Sequence, residues 1–153
     1  MLSDSSGVTW FEPPPVEVIT DSTATPTVNR NLTKGLEENL SWNFSLTADL
    51  TLITVTVAFK GLAAGSSFEN VATFVQSLGK ASLQDGFEDR FNVSWINSKI
   101  TLTVFNVSAE NNGEFECRLL LFDGSGTNTW RRKIQVTVLG EAADYDISAF
   151  CIL

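Results

Sequence analysis

Histidine is absent from this chain of 153 residues, and only 18% of the residues are charged. Without imidazole the chain lacks the commonest general base, the usual partner of a nucleophilic serine and a common zinc ligand. An enzyme built from what remains needs two carboxylates in a cleft, but the acidic residues cluster in segments with the composition of loops. The sequence therefore predicts a protein that is not an enzyme, with no catalytic residue, no metal site and no cofactor.

Basic residues are also scarce, since 10 Lys and Arg stand against 18 Asp and Glu, for a formal net charge of −8. A domain with this charge repels a polyanion, and no basic block offsets the repulsion, so nucleic acid is excluded as a partner. No apolar run is long enough to cross a membrane, and the first residues lack the charged and then apolar layout of a signal peptide. We expect any membrane or secretion segment to lie outside this chain.

Residues that favour β-strands are abundant, and they alternate with polar residues. Leu40, Trp42, Phe44 and Leu46 are separated by Asn and Ser, which places four apolar side chains on one face of a strand. The same alternation recurs in four further segments: 91–95, 100–104, 115–121 and 134–138. At least seven short strands, separated by turn signals such as the glycines in 123–126, predict an all-β sandwich.

The length of the chain is that of one domain. We expect a flexible N-terminal segment at 1–7, a folded domain at 8–139, and a segment at 140–153 that is either a linker or a truncated tail. Near the start, an apolar stretch at 8–11 precedes three consecutive prolines at 13–15. Because proline in a sheet is confined to edges and bulges, this pattern predicts an edge strand broken by the prolines.

One continuous motif carries a family resemblance. The segment 102–117 reads LTVFNVSAENNGEFEC, with Gly113, Phe115 and Cys117 in fixed spacing behind an alternating strand. It resembles the passage from strand E to strand F of variable-type (V-set) immunoglobulin domains, where the pattern D-x-G-x-Y-x-C is usual. The resemblance implies an all-β, immunoglobulin-like antiparallel β-sandwich. It also implies an extracellular location, because V-set domains belong to cell-surface adhesion molecules and immune-type receptors.

The chain departs from the V-set pattern at the disulfide that joins the two sheets. Trp42 stands where the resemblance places the partner of Cys117, so we expect this domain to lack the inter-sheet disulfide. The tryptophan usual on strand C is missing as well, and we infer that the indole of Trp42 fills the space of both. Two alternatives remain for Cys117: an inert buried thiol, or a bridge to Cys151 in the tail.

Two polar contacts of the family are also altered. Phe115 has no hydroxyl, so the tyrosine-corner hydrogen bond cannot form. Asn111 stands where an aspartate normally faces the arginine of strand D, which is Arg90 in this chain. We expect Arg90 to gain only a neutral hydrogen bond there. The alternative is that a neighbouring acidic residue, Glu110 or Glu114, replaces the aspartate.

Five Asn-x-Ser/Thr sequons predict N-glycosylation, at Asn31, Asn39, Asn43, Asn92 and Asn106. Alternation places Asn39, Asn43 and Asn92 on the outer side of their strands, and Asn106 ends its strand. The resemblance assigns these strands to the A-B-E-D sheet and leaves strands C, C′, F and G without a sequon. We expect one glycan-coated face and one bare face. The alternative is that the asparagines and hydroxyls form an ordinary solvated surface.

The bare face carries an unusual pair of outward apolar residues. If alternate residues of 115–121 point into the core, then Glu116, Arg118, Leu120 and Phe122 point outward. The outward residues of the neighbouring strands are then Arg131, Lys133, Gln135, Thr54, Thr56 and Ala58. An apolar centre with a basic rim, on a protein with a net charge of −8, has the composition of an interaction patch.

The sequence thus predicts extracellular protein–protein recognition or cell adhesion through the G-F-C-C′ face, which V-set domains commonly use. The predicted partner-binding residues are Arg118, Leu120, Phe122, Arg131 and Lys133. The partner is a protein, and homophilic binding to a second copy is left open. Two alternatives stand against this function. In the first, Leu120 and Phe122 are covered by a loop or by the tail, where residues 150 and 152 are apolar. In the second, the domain is a structural spacer in a multidomain ectodomain.

Overall fold

A computed structural model of the protein describes residues 6–12, 17–20, 22–23 and 25–140. Within these ranges the chain forms β-strands and one 3₁₀ turn, Ala109–Asn111. The strands are β1 (Val8–Glu12), β2 (Glu17–Ile19), β3 (Thr27–Thr33), β4 (Glu38–Leu46), β5 (Thr51–Gly61), β6 (Glu69–Val75), β7 (Lys80–Leu83), β8 (Phe91–Ile96), β9 (Lys99–Val104), β10 (Gly113–Phe122) and β11 (Thr127–Leu139). The described part of the chain contains no helix with the length and hydrophobicity needed to span a membrane.

The strands form two sheets that pack face to face. One sheet has five strands in the order β2-β1-β4-β9-β8, and the other has six in the order β3-β11-β10-β5-β6-β7. Every pair of neighbouring strands is antiparallel except β3 and β11, which run parallel. The predicted fold class, an all-β sandwich, is therefore confirmed.

The core lies between the two sheets, where the period-two alternation predicted it. Leu40, Trp42 and Phe44 of β4 are buried, and Leu46 at the strand end is half-buried. Across the sandwich, the inward residues of β10 and β11 are buried Phe115, Cys117, Leu119, Leu121, Ile134 and Val136, with Val138 half-buried. Because successive side chains of a strand point to opposite faces, burial of one side is enough to hold each strand in its register.

Aromatic rings from the two sheets contact each other across the core. Trp95 of β8 stacks on Phe74 of β6 with 4.0 Å between ring centroids, and Phe91 of β8 meets Phe115 of β10 edge-on at 6.2 Å. Such ring pairs contribute about 0.5–1.5 kcal/mol each beyond the area they bury. Trp42 is fully buried in the same core cluster as Cys117. Aromatic packing therefore joins the two sheets directly.

Cys117 is a free thiol in the structure, and it is fully buried. Burial raises the pKa of this thiol well above its usual value, and the nearby charge of Glu116 adds to the shift. The thiol stays protonated and unreactive at neutral pH, because the thiolate is the reactive form. Of the two alternatives, the structure supports the inert buried thiol. Cys151 lies outside the described residues.

One buried charge was not indicated by the sequence pattern. Arg132 of β11 points inward beside Ile134 and is fully buried, and its Nη1 donates to a carboxylate oxygen of Glu17. Glu17 belongs to β2 of the five-stranded sheet, so this ion pair links one sheet to the other. A buried guanidinium is costly unless a carboxylate neutralises it. Arg132 is therefore part of the inter-sheet packing and is not available to a partner on the outer face.

One expectation about an individual element was wrong. The segment 8–12 is not an edge strand, because β2 hydrogen-bonds to the outer side of β1 and is itself the edge. A three-residue strand was too short for its alternation to be visible in the sequence. The prolines at 13–15 lie outside the described residues, as does the predicted tail beyond residue 140.

The polar contact expected for Arg90 is also different. Among the described residues, its guanidinium makes no hydrogen bond or ion pair to Asn111, Glu110 or Glu114. It instead lies 5.2 Å from the ring centroid of Phe91 and 5.6 Å from that of Phe87. The side chain of Asn111 turns back and accepts a hydrogen bond from the Ser108 amide at 2.8 Å. A cation–π contact therefore takes the place of the expected polar pair.

Candidate partner-binding face

The five predicted partner-binding residues lie on one surface, the outer face of the six-stranded sheet. Alternation along β10 and β11 points them away from the buried residues between them. Arg118 stands directly opposite Arg131 in the antiparallel pair. The five residues are Arg118, Leu120 and Phe122 on β10, and Arg131 and Lys133 on β11. The sequence pattern correctly predicted their placement, and their role in binding stays a prediction.

A buried carboxylate holds the basic part of this face together. Glu116 lies opposite Lys133 and Ala58 in the sheet and is only 3% exposed. Its Oε1 accepts a hydrogen bond from Nε of Arg118 at 2.5 Å and lies 3.6 Å from Nε of Arg131. Glu116 and Ala58 thus lie on the outward side of their strands, as alternation predicts, but both are buried. The arginine side chains paired with Glu116 shield its carboxylate from solvent.

Phe68 is the residue of this face that the sequence pattern missed. It directly precedes β6, and its ring lies among three cations of the outer face. The ring centroid is 5.3 Å from Arg118, 5.5 Å from Lys60 and 5.6 Å from Lys133. These distances fit cation–π attraction. A loop residue outside any alternating pattern carries no local signal that would have placed it there.

The basic cluster has more positive than negative groups. Its cations are Lys60, Arg118, Arg131 and Lys133, and its carboxylates are Glu116 and Glu114, the latter 3.5 Å from the Lys133 ammonium. Two guanidiniums thus share one carboxylate, and Lys60 lies over the Phe68 ring. The cluster is a positive patch on a protein with a net charge of −8.

The apolar part of the face lies next to the basic cluster, towards the 123–126 turn. Leu120 is half-buried and Phe122 is 42% exposed. Their cross-strand neighbours are threonines: Thr129 and Thr54 beside Leu120, and Thr127 and Thr51 beside Phe122. Small polar neighbours leave the Phe122 ring open to solvent. The residues at 150 and 152, which were considered as a cover, lie outside the described residues.

We expect replacement of Glu116 with glutamine to lower the free energy of unfolding by about 2 kcal/mol. This loss is smaller than that for breaking a fully buried ion pair, because both arginines are partly exposed. Without the carboxylate, Arg118 and Arg131 face each other as like charges directly across the strands. The measurement is urea denaturation of both proteins. Glu114→Gln is the matched control, since this more exposed carboxylate has Lys133 as its one ion-pair partner among the described residues. Its replacement should cost less than about 1 kcal/mol. Equal losses for the two variants would contradict the buried role of Glu116.

Among the described residues, two carboxyl groups have shifted pKa values, and both belong to turns. Hydrogen bonds from Ser125 and Gly126 lower the pKa of Asp123, and hydrogen bonds from Ser6 and Thr47 lower that of Asp49. The Asp123 contacts form the tight connection predicted between β10 and β11. Neither shift comes from a second carboxylate nearby, so both are explained by turn structure.

The structure places four of the five sequons as expected and one differently. Asn39, Asn43 and Asn92 lie on the outer side of the five-stranded sheet, and Asn106 follows the end of β9. Asn31, however, lies on β3 of the six-stranded sheet and is exposed. The face expected to be bare therefore has a sequon on its edge strand, because β3 pairs with β11.

A scan against protein-family models found no match for this chain, and a search among curated proteins found none either. The two-sheet fold and the outer face of the six-stranded sheet are thus the basis on which a function can be proposed.

Proposed function

We propose that this chain is a V-set-like immunoglobulin domain that binds a protein partner through the outer face of its six-stranded sheet. The strand order supports the assignment, because β5, β10 and β11 are neighbours as strands C, F and G are in immunoglobulin domains. The variable type adds two further strands beyond strand C, and β6 and β7 occupy those positions. Strands β1, β4, β9 and β8 correspond to A, B, E and D.

Phe122 is the observation that carries the binding role. Its ring is 42% exposed on a sheet face and is bordered by a cluster with excess positive charge. Exposed apolar surface rimmed by polar groups is typical of an interaction site, and arginine and aromatic residues are enriched where binding energy concentrates. Arg118, Leu120, Phe122, Arg131 and Lys133 are the proposed contact residues.

The charges of the face indicate an acidic partner. A positive patch attracts a negative surface and speeds the encounter between the two proteins. A second copy of this chain, with a net charge of −8, supplies such a surface. The extracellular setting of this recognition is supported by the five sequons and by the resemblance to V-set domains of cell-surface proteins.

We expect the full chain to self-associate reversibly and the double variant Phe122→Ser/Arg131→Glu to lose that association. Truncating an interface anchor typically costs more than about 1 kcal/mol, which is a several-fold or larger rise in Kd. The measurement is sedimentation of the secreted, glycosylated protein at about 1 to 300 μM, a range that brackets weak association. Phe105→Ser is the matched control, because Phe105 is 40% exposed but lies beyond the end of β9 in the other sheet.

Each outcome of this experiment decides a specific point. Self-association that persists in the double variant would contradict the proposed face. A monomer at every concentration excludes homophilic binding, and a screen against cell-surface ectodomains then tests a different partner. If no ectodomain binds, the spacer role replaces the proposed one.

A further inference from the structure

Two of the sequons lie side by side on the outer face of the five-stranded sheet. Asn39 of β4 and Asn92 of β8 both stand opposite Thr103 of β9, one on each side of it. Their sequon serines, Ser41 and Ser94, likewise both stand opposite Thr101. Since neighbouring strands are about 4.8 Å apart, the two asparagines are about 10 Å apart in one cross-strand row.

The side chains of this row are available for modification. Asn39 and Asn92 are both exposed. The Oδ1 of Asn39 accepts a hydrogen bond from the Thr103 hydroxyl at 2.8 Å. This contact involves only the carbonyl oxygen of the amide. It does not involve Nδ2, the atom that carries an N-glycan. Asn43 lies on the same strand but is half-buried, beside a cavity lined by Ile96 and Lys99.

We propose that N-glycans on Asn39 and Asn92 together form a single shield over the outer face of the five-stranded sheet. In each transfer, Nδ2 bonds to C1 of the first sugar of a lipid-linked oligosaccharide. The bond from C1 to the lipid pyrophosphate breaks, the amide loses one proton, and the lipid pyrophosphate leaves. This inference rests on the proposed extracellular function, because the transfer requires passage through a secretory pathway. Its consequence is that partners are directed to the six-stranded sheet.

The occupancy test uses the full chain secreted from eukaryotic cells with the other sequons removed, as Asn31→Gln/Asn43→Gln/Asn106→Gln. We expect the intact mass to show two glycans on most molecules. Adding Ser41→Ala or Ser94→Ala should remove one glycan each, and both changes keep the asparagine side chain. Secreted, folded protein with one glycan or none would overturn the proposal, because the two sites would then exclude each other or form only a polar surface.

The shielding test measures side-chain accessibility on the same face. Ile96 is 65% exposed at the far end of β8, on the same side as Asn92, whereas Leu78 is 73% exposed in the turn after β6. We expect hydroxyl-radical labelling of Ile96 to rise at least about twofold when a glycosidase trims the glycans, with Leu78 unchanged. Equal labelling of Ile96 before and after trimming would overturn the shield. Neither measurement depends on Phe122 or Arg131, so failure here and failure of the partner-binding face are distinguishable.

Discussion

Replacement of Gly113 with alanine is expected to lower the free energy of unfolding by at least about 3 kcal/mol. Gly113 begins β10 with a φ of +147°, a backbone conformation that residues other than glycine rarely adopt. A Cβ added there would lie 2.2 Å from the carbonyl oxygen of Lys60 and 3.1 Å from the Cα of Gly61. Both atoms belong to the backbone of β5, so the clash can be relieved only by separating two central strands.

Glycines elsewhere in the chain provide the controls for this prediction. Gly124 has a φ of +95°, but the space that a Cβ would occupy is open, so Gly124→Ala tests backbone strain without a clash. We expect it to cost about 1 kcal/mol. Gly126 has neither restriction, and Gly126→Ala should change stability by less than about 0.5 kcal/mol. Urea denaturation that ranks the three variants in any other order would contradict the close approach of β10 to β5.

Replacement of Trp42 with alanine is expected to cost about 3–5 kcal/mol. Trp42 is fully buried on β4, in the same core cluster as the free Cys117. Among the described residues no inter-sheet disulfide would hold the two sheets together if this packing were lost. The large cavity left by an indole would remain between sheets whose alignment depends on side-chain packing. The loss is measured by urea denaturation, which yields the free energy of unfolding directly.

Trp42→Phe distinguishes loss of packing from loss of the indole N–H. The Nε1 of Trp42 is buried and has no hydrogen-bond partner among the described residues. Phenylalanine keeps most of the apolar area and removes this unsatisfied donor, so the cost should be only about 1 kcal/mol. Ile96→Ala, at an exposed side chain, should be close to neutral. If Trp42→Phe were as destabilising as Trp42→Ala, the indole N–H would contribute to stability, and loss of packing alone would not explain the effect.

The strand interiors were the part of the fold that the sequence predicted best. Alternation with Asn and Ser places the apolar Leu40, Trp42 and Phe44 on one face of β4, and that face is buried. The same alternation correctly predicted the buried residues of β10 and β11. That rule also correctly predicted which residues face outward around Phe122. Short or irregular segments such as β2 were missed, since three residues cannot display a period of two.

Contacts between distant segments were the part that could not be predicted. Glu17 and Arg132 are 115 residues apart, and nothing near either residue in the sequence indicates the other. Phe68 lies among cations from β5, β10 and β11, which only the folded chain brings together. Glu116 is buried beside Arg118 of its own strand and beside Arg131, which only the pairing of β10 with β11 brings close.

The sequence by itself determined that this protein is a β-sandwich, which side of each main strand is buried, and that Arg118, Leu120, Phe122, Arg131 and Lys133 face the same way. These properties follow from alternation along one strand, which is a local property of the chain. Only the tertiary structure decided that Glu116 pairs with two arginines, that Arg132 joins the sheets, and that Asn39 and Asn92 share one row. These depend on which strands become neighbours and in what register, and that is set by packing of the whole core.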